Sequence, residues 1–194
     1  MIAVLIGFAI VGVGLYALSR RKPKERIDPF TLQDPWRSMV RKAQSTATRF
    51  GDAVAKAKAG PLKERLTDVG SRVDAAVNEA WAIAKRGHAL DHAVDELDVP
   101  DHRRRLAELE AGGDPAVTEA VHNQVQSGER LAAVAADART RLQRLNAELE
   151  EAVARAIELS MSAADAGALQ PLGADLDNVV DELESLRLAL EETT

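Results

Sequence analysis

The stretch that decides the fold runs from Leu62 to Leu97 and reads LKERLTDVGSRVDAAVNEAWAIAKRGHALDHAVDEL. Apolar or small residues recur along it at alternating spacings of four and three, namely Leu62, Leu66, Val69, Val73, Ala76, Ala80, Ile83, Gly87, Leu90, Val94 and Leu97. This alternation places one continuous apolar seam along a helix, and about five heptads of it favour coiled-coil-style packing.

A second seam follows after two short breaks, at Val99–Asp101 and Ala111–Pro115. Its members are Val117, Val121, Gln124, Gly128, Leu131, Ala135, Ala138, Leu142, Leu145, Leu149, Ala152, Ala156, Leu159 and Ala163. Short connections make antiparallel neighbours of successive helices. We therefore expect a long hairpin in which Leu62–Leu97 packs against Val117–Ala163. The alternative is that each seam pairs with a second copy of the chain.

The remaining elements are also helical. The predicted helices span about 35–59, 61–98, 101–111, 115–165 and 175–192, with a turn over 167–173 that contains Pro171. No window alternates strictly between apolar and polar residues beside hairpin turns, so no β-sheet is expected. The predicted class is all-α: an N-terminal transmembrane helix followed by an antiparallel helical bundle or coiled-coil hairpin over 35–194.

The N-terminus predicts a membrane anchor. Ile2 to Leu18 is an uncharged apolar run, IAVLIGFAIVGVGLYAL, and roughly 18 helical residues cover about 27 Å of bilayer. A juxtamembrane linker over 20–34 follows, with five basic residues between Arg20 and Arg26. Basic residues beside a span face the cytoplasm. We therefore predict an uncleaved single-pass signal-anchor at 1–19, with the N-terminus outside and the helical domain in the cytoplasm.

A cleaved signal peptide is the competing interpretation of the same run. Ala17 and Ser19 satisfy the small-residue rule for cleavage, but no basic residue precedes the apolar run.

Charge is distributed unevenly along the chain. Residues 1–66 contain 13 Lys/Arg and 5 Asp/Glu, a net of +8, whereas the remainder has a net of −14, which together give the overall −6. The acidic bulk argues against nucleic acid as the main ligand. The basic part suits an anionic surface next to the anchor, either a membrane or an acidic protein.

One helix combines an apolar stripe with basic flanks. Lys42, Arg49, Lys56 and Lys63 follow one another at intervals of seven residues, beside an apolar stripe that contains Trp36 and Phe50. Such a helix either lies on anionic lipid or packs in the bundle with its cations in water. The candidate lipid- or partner-binding residues are Trp36, Arg41, Lys42, Arg49, Phe50, Lys56 and Lys63.

The sequence predicts no catalytic, cofactor or metal site. Cysteine is absent, which removes thiolate nucleophiles and Cys-ligated metals. His88 and His92 share a helical face with Asp95, but no Glu lies between them as in an HExxH motif, so we interpret them as solvated residues. Ser160 and Ser162 lack a nucleophile-elbow context. An enzyme is not expected.

The preferred function is a membrane-anchored coiled-coil scaffold or adaptor that acts through protein–protein contacts or self-association on the cytoplasmic face. The alternative is a membrane-surface or envelope-stress factor that binds anionic lipid through the helix at 36–59. No stretch of the chain identifies a functional family.

Overall fold

The structure, a computed structural model, describes residues 26–161 and 166–192. Within these ranges the chain forms helices and no strand, which confirms the all-helical class and the helical bundle. The five α-helices are α1 (Trp36–Lys56), α2 (Pro61–Glu96), α3 (Val99–Glu110), α4 (Pro115–Met161) and α5 (Gln170–Glu192). Two short 3-10 turns, Pro29–Thr31 and Ala166–Leu169, precede α1 and α5.

The two longest helices, α2 and α4, form the central pair of the bundle. Asp91 of α2 is ion-paired with Arg139 of α4, and Leu97 lies beside Gly128. Later residues of α2 therefore meet earlier residues of α4, which means that the two helices run antiparallel, as the sequence predicts.

The helices α1 and α5 pack on opposite sides of this central pair, and each contacts both of its members. Phe50 of α1 lies against Gly70 of α2, whereas Trp36 lies against Gly87, so α1 and α2 are antiparallel. A Cβ atom at Gly87 would overlap the Trp36 ring, so the small residue is required by this close approach. By contrast α5 runs parallel to α2, because Asp177 pairs with Arg72 and Glu191 pairs with Arg86.

The predicted seams form the core of the bundle. Eight of the eleven positions of the first seam are buried, from Leu66 to Leu90 in α2, and Leu142, Leu145 and Leu149 are buried together in α4. Each of α2 and α4 also buries residues beside its seam, including Trp81 and Val153, because each contacts several helices at once. The prediction fails at Gln124, which is exposed while the adjacent Val125 is buried.

The last helix begins earlier than the sequence suggests. We expected a turn over 167–173 and a helix from 175, but α5 begins at Gln170 and includes Pro171 and Gly173. Proline is tolerated in the first turn of a helix, where its missing N–H has no partner to lose. Burial of Leu172 and Gly173 against the bundle adds packing energy to this first turn, which favours the earlier start.

The predicted anchor at 1–19 and the first part of the linker, 20–25, lie outside the described residues. None of the helices that the structure does describe is both long and apolar enough to cross a membrane.

Candidate interaction surfaces

The two aromatic residues of the candidate binding stripe lie inside the bundle. Trp36 has no exposed surface, and its indole N–H donates a hydrogen bond to Asp91 Oδ2 at 2.7 Å. Phe50 is 2 % exposed and packs against Gly70. These two side chains thus face α2 and α4. In this structure α1 does not expose them to a lipid surface, as the lipid alternative would require.

The basic candidates divide into paired and unpaired residues. Lys42 Nζ and Arg49 Nη2 both contact the carboxylate of Glu150 in α4, at 2.9 and 3.5 Å. Lys63 Nζ donates to the backbone carbonyl of Ala57 at 3.3 Å. Arg41 and Lys56 are exposed and have no ion-pair partner in the described part of the chain. The structure therefore does not bring the seven candidates together on one surface.

A polar cluster joins α1, α2 and α4 at one end of the bundle. Asp91 accepts hydrogen bonds from the Trp36 indole and from the Arg139 guanidinium, and that guanidinium lies over the Trp36 ring, 5.8 Å from its centroid. Hydrogen bonds of this kind fix which residues face one another when a charge is partly buried. We interpret the cluster as a structural connection between the three helices.

The carboxylate and imidazole groups around His88 and His92, considered above as a possible metal site, interact with other side chains in this structure. Asp91, next to the two histidines, is engaged by Trp36 and Arg139. His92 Nδ1 lies 3.4 Å from Glu96 on the same helix. Over 26–161 and 166–192, no three His, Asp or Glu side chains are placed to share a metal ion.

A charge network attaches α5 to α2. Arg187 donates to Glu191 Oε1 and to Glu79 Oε2, both at 2.8 Å, and Arg86 contacts Glu191 at 3.2 Å. The hydrogen bond with Glu191 is the main cause that raises the pKa of Arg187, and the same bond lowers the pKa of the Glu191 carboxyl. Both groups are held in their charged forms, as a surface ion-pair network requires.

An acidic concavity of about 340 Å³ lies between α4 and α5. Its carboxylates already have cationic partners, because Arg155 pairs with Glu151 and Asp175, and Arg144 pairs with Glu182. The concavity is therefore lined by a network of surface ion pairs that joins α4 to α5.

One surface that the sequence pattern does not predict stands apart from the bundle. We name the segment 97–131 the arm; it contains α3 and the first part of α4. Within the arm, the 17 residues from Pro115 to Leu131 extend α4 over roughly 25 Å, at about 1.5 Å per residue. α3 folds back along this extension, and Arg103 pairs with Glu129.

The arm has a small core of its own. Val121 and Val125 are buried within it but are not part of the bundle core, and α3 contains no buried residue. Gly128 lets Val99 approach closely, since a Cβ atom at this position would overlap the Val99 side chain. Near the tip, Leu106, Leu109 and Pro115 line an open depression of about 470 Å³. Val117, close by, is 39 % exposed.

A second exposed apolar group lies at the beginning of the described chain, where Phe30 is 75 % exposed. Periodicity could not identify it, because a single aromatic in a linker has no pattern around it.

Comparison with known proteins adds no assignment: no family model, curated protein or solved structure matches the chain. Function is therefore inferred from the sequence and from these surfaces alone.

Proposed function

We propose that the chain is a membrane-anchored helical scaffold that acts through protein–protein contacts or self-association, with its helical domain on the cytoplasmic side. The proposal assigns it no catalytic activity. The apolar run Ile2–Leu18 and the five basic residues after it support the anchor and the orientation.

The arm is the observation on which the scaffold proposal rests. Helices in water depend on tertiary packing for most of their stability, and a pair of them with few buried side chains has little of it. The arm is roughly 25 Å long, yet its α3 helix contains no buried residue. A protein partner or a second copy that covers Leu106, Leu109 and Val117 would supply the missing packing.

The position of Trp36, where the chain enters the bundle, supports partner contacts of the arm close to the membrane. Trp36 contacts Asp91 and Arg139 at the end of the bundle from which the arm extends. Seven residues, 19–25, separate the apolar run from Arg26 and span at most roughly 25 Å when fully extended. We therefore expect the arm to operate near the membrane surface, within reach of other membrane-associated chains.

Site-specific crosslinking tests this proposal, because the chain contains no cysteine. A photoreactive maleimide on Val117→Cys, in full-length protein in its native membranes, should crosslink a partner or a second copy. Leu188→Cys is the matched control, since Leu188 is 46 % exposed on α5, a helix outside the arm. We expect crosslinked product several-fold more abundant at 117 than at 188. Equal yields, or no product at 117, would contradict a role for the arm.

A further inference from the structure

A hydrogen-bonded turn holds Phe30 in solvent where the chain enters the bundle. The 3-10 turn Pro29–Thr31 is capped by Asp28, whose carboxylate Oδ1 accepts the Phe30 N–H at 3.1 Å. The Asp28 carbonyl accepts the Thr31 hydroxyl at 2.8 Å. The turn is packed against the protein on both sides of Phe30, because Pro29 is buried before it and Leu32 is buried after it.

The exposure of Phe30 therefore follows from the fixed backbone around it. Ile27 packs partly against the core, and Leu32 belongs to the core, so the neighbouring apolar residues of this segment point inward. Arg37 reinforces the turn by donating from Nε to the Leu32 carbonyl at 2.8 Å. Ile27, Pro29 and Leu32 thus face the protein, whereas Phe30, the largest apolar side chain of the segment, faces away from it.

We infer that Phe30 inserts into the membrane interface and seats the bundle against the bilayer, an inference that rests on the anchor in the proposed function. The length of the chain keeps Phe30 within reach of this region. Eleven residues, 19–29, separate it from Leu18, which is at most roughly 40 Å when fully extended.

Charge next to the turn suits the same surface. The five basic residues between Arg20 and Arg26 are attracted to anionic headgroups and draw the segment that contains Phe30 toward them. Arg26 is exposed, and Arg37 is about one-third exposed beside the turn. Apolar side chains next to basic residues are common in segments that lie at the boundary between headgroups and acyl chains, and here the five basic residues of 20–26 outnumber the exposed Asp28 and Asp34 beside the turn. Phe30 is then a second attachment point, which limits how far the bundle swings about its anchor.

An environment-sensitive fluorophore at position 30 tests the inference in the full-length chain. Phe30→Cys labelled with a nitrobenzoxadiazole dye is reconstituted into vesicles of phosphatidylcholine and phosphatidylglycerol. The matched control is Leu188→Cys with the same label, on an exposed apolar position of α5. We expect blue-shifted emission at 30 that is strongly quenched by spin-labelled lipid, and water-like emission at 188 that is quenched by iodide.

The outcomes separate this inference from the proposed function. Water-like emission at 30 in chains that are firmly embedded in the vesicles would overturn the insertion of Phe30 and leave the anchor intact. Blue-shifted emission without quenching by lipid would also overturn it, because a protein surface would then cover the residue. Chains that fail to remain with the vesicles after alkaline extraction would instead contradict the anchor. Circular dichroism of both labelled variants verifies that they are folded.

Discussion

Replacing Leu145 with Asp is expected to unfold the bundle or to leave it barely stable. Leu145 is 2 % exposed and lies between Leu142 and Leu149 on the face of α4 that enters the core. The substitution removes a packed side chain and buries a carboxylate that has no cationic partner among the core residues around it. Leu-to-small changes in cores already cost about 2–5 kcal/mol, and an unpaired buried charge adds to that loss. We expect at least about 4 kcal/mol, a large part of the total stability of a typical domain.

Ala147→Asp is the control for this prediction, because Ala147 is an exposed residue of the same helix. It introduces the same side chain at a position that faces solvent, where only helix propensity changes, by about 0.7 kcal/mol or less. Thermal unfolding of residues 26–194, followed by far-ultraviolet circular dichroism, compares the two variants. Similar melting temperatures for Leu145→Asp and Ala147→Asp would show that the assignment of α4 to the core is incorrect.

Replacing Phe50 with Ala is expected to lower the free energy of unfolding by about 3–5 kcal/mol, the usual range for a buried Phe. Phe50 is 2 % exposed and fills the space beside Gly70, which has no side chain to close the resulting cavity. For a domain of this size each kcal/mol shifts the melting temperature by about 2–4 °C. We therefore expect a decrease of roughly 10 °C, measured by the same method.

Phe30→Ala provides the matched control for Phe50→Ala, with the same change of side chain at an exposed position. Its melting temperature should be nearly unchanged, since it leaves no cavity in the core. Unchanged melting of Phe50→Ala together with loss of binding to anionic vesicles would reverse our view of α1. The helix would then present its apolar stripe to lipid, as in the alternative considered from the sequence.

The regular part of the fold was predictable because helical periodicity reports which face of a helix is buried. The seam from Leu66 to Leu90 and the cluster from Leu142 to Leu149 are both buried, and Gly60-Pro61 separates two helices as the sequence suggests. Periodicity does not report what each face contacts. The hydrogen bond from Asn146 to the Met39 carbonyl joins residues 107 positions apart, and no local pattern predicts it.

Other features could not be predicted from local patterns, because the same residue has different roles in different surroundings. Gly128 brings no side chain to the second seam, and in the structure this allows close packing of Val99 at the base of the arm. Lys42 and Arg49 read as a basic surface, but Glu150, more than a hundred residues away, pairs with both. No periodic pattern in the sequence includes Phe30. Its position depends on the burial of Pro29 and Leu32, which only the folded chain reveals.

The most direct test of a membrane-anchored scaffold is the topology of the intact protein in cells. A reporter that is active only in the cytoplasm is fused after Thr194, and the chain is recovered from the membrane fraction for measurement of its mass. We predict an active reporter on a chain that retains Ile2–Leu18 and resists alkaline extraction, because the basic residues from Arg20 to Arg26 hold the following domain inside. A mature chain that begins near Arg20, or an inactive reporter on an intact chain, would contradict the account.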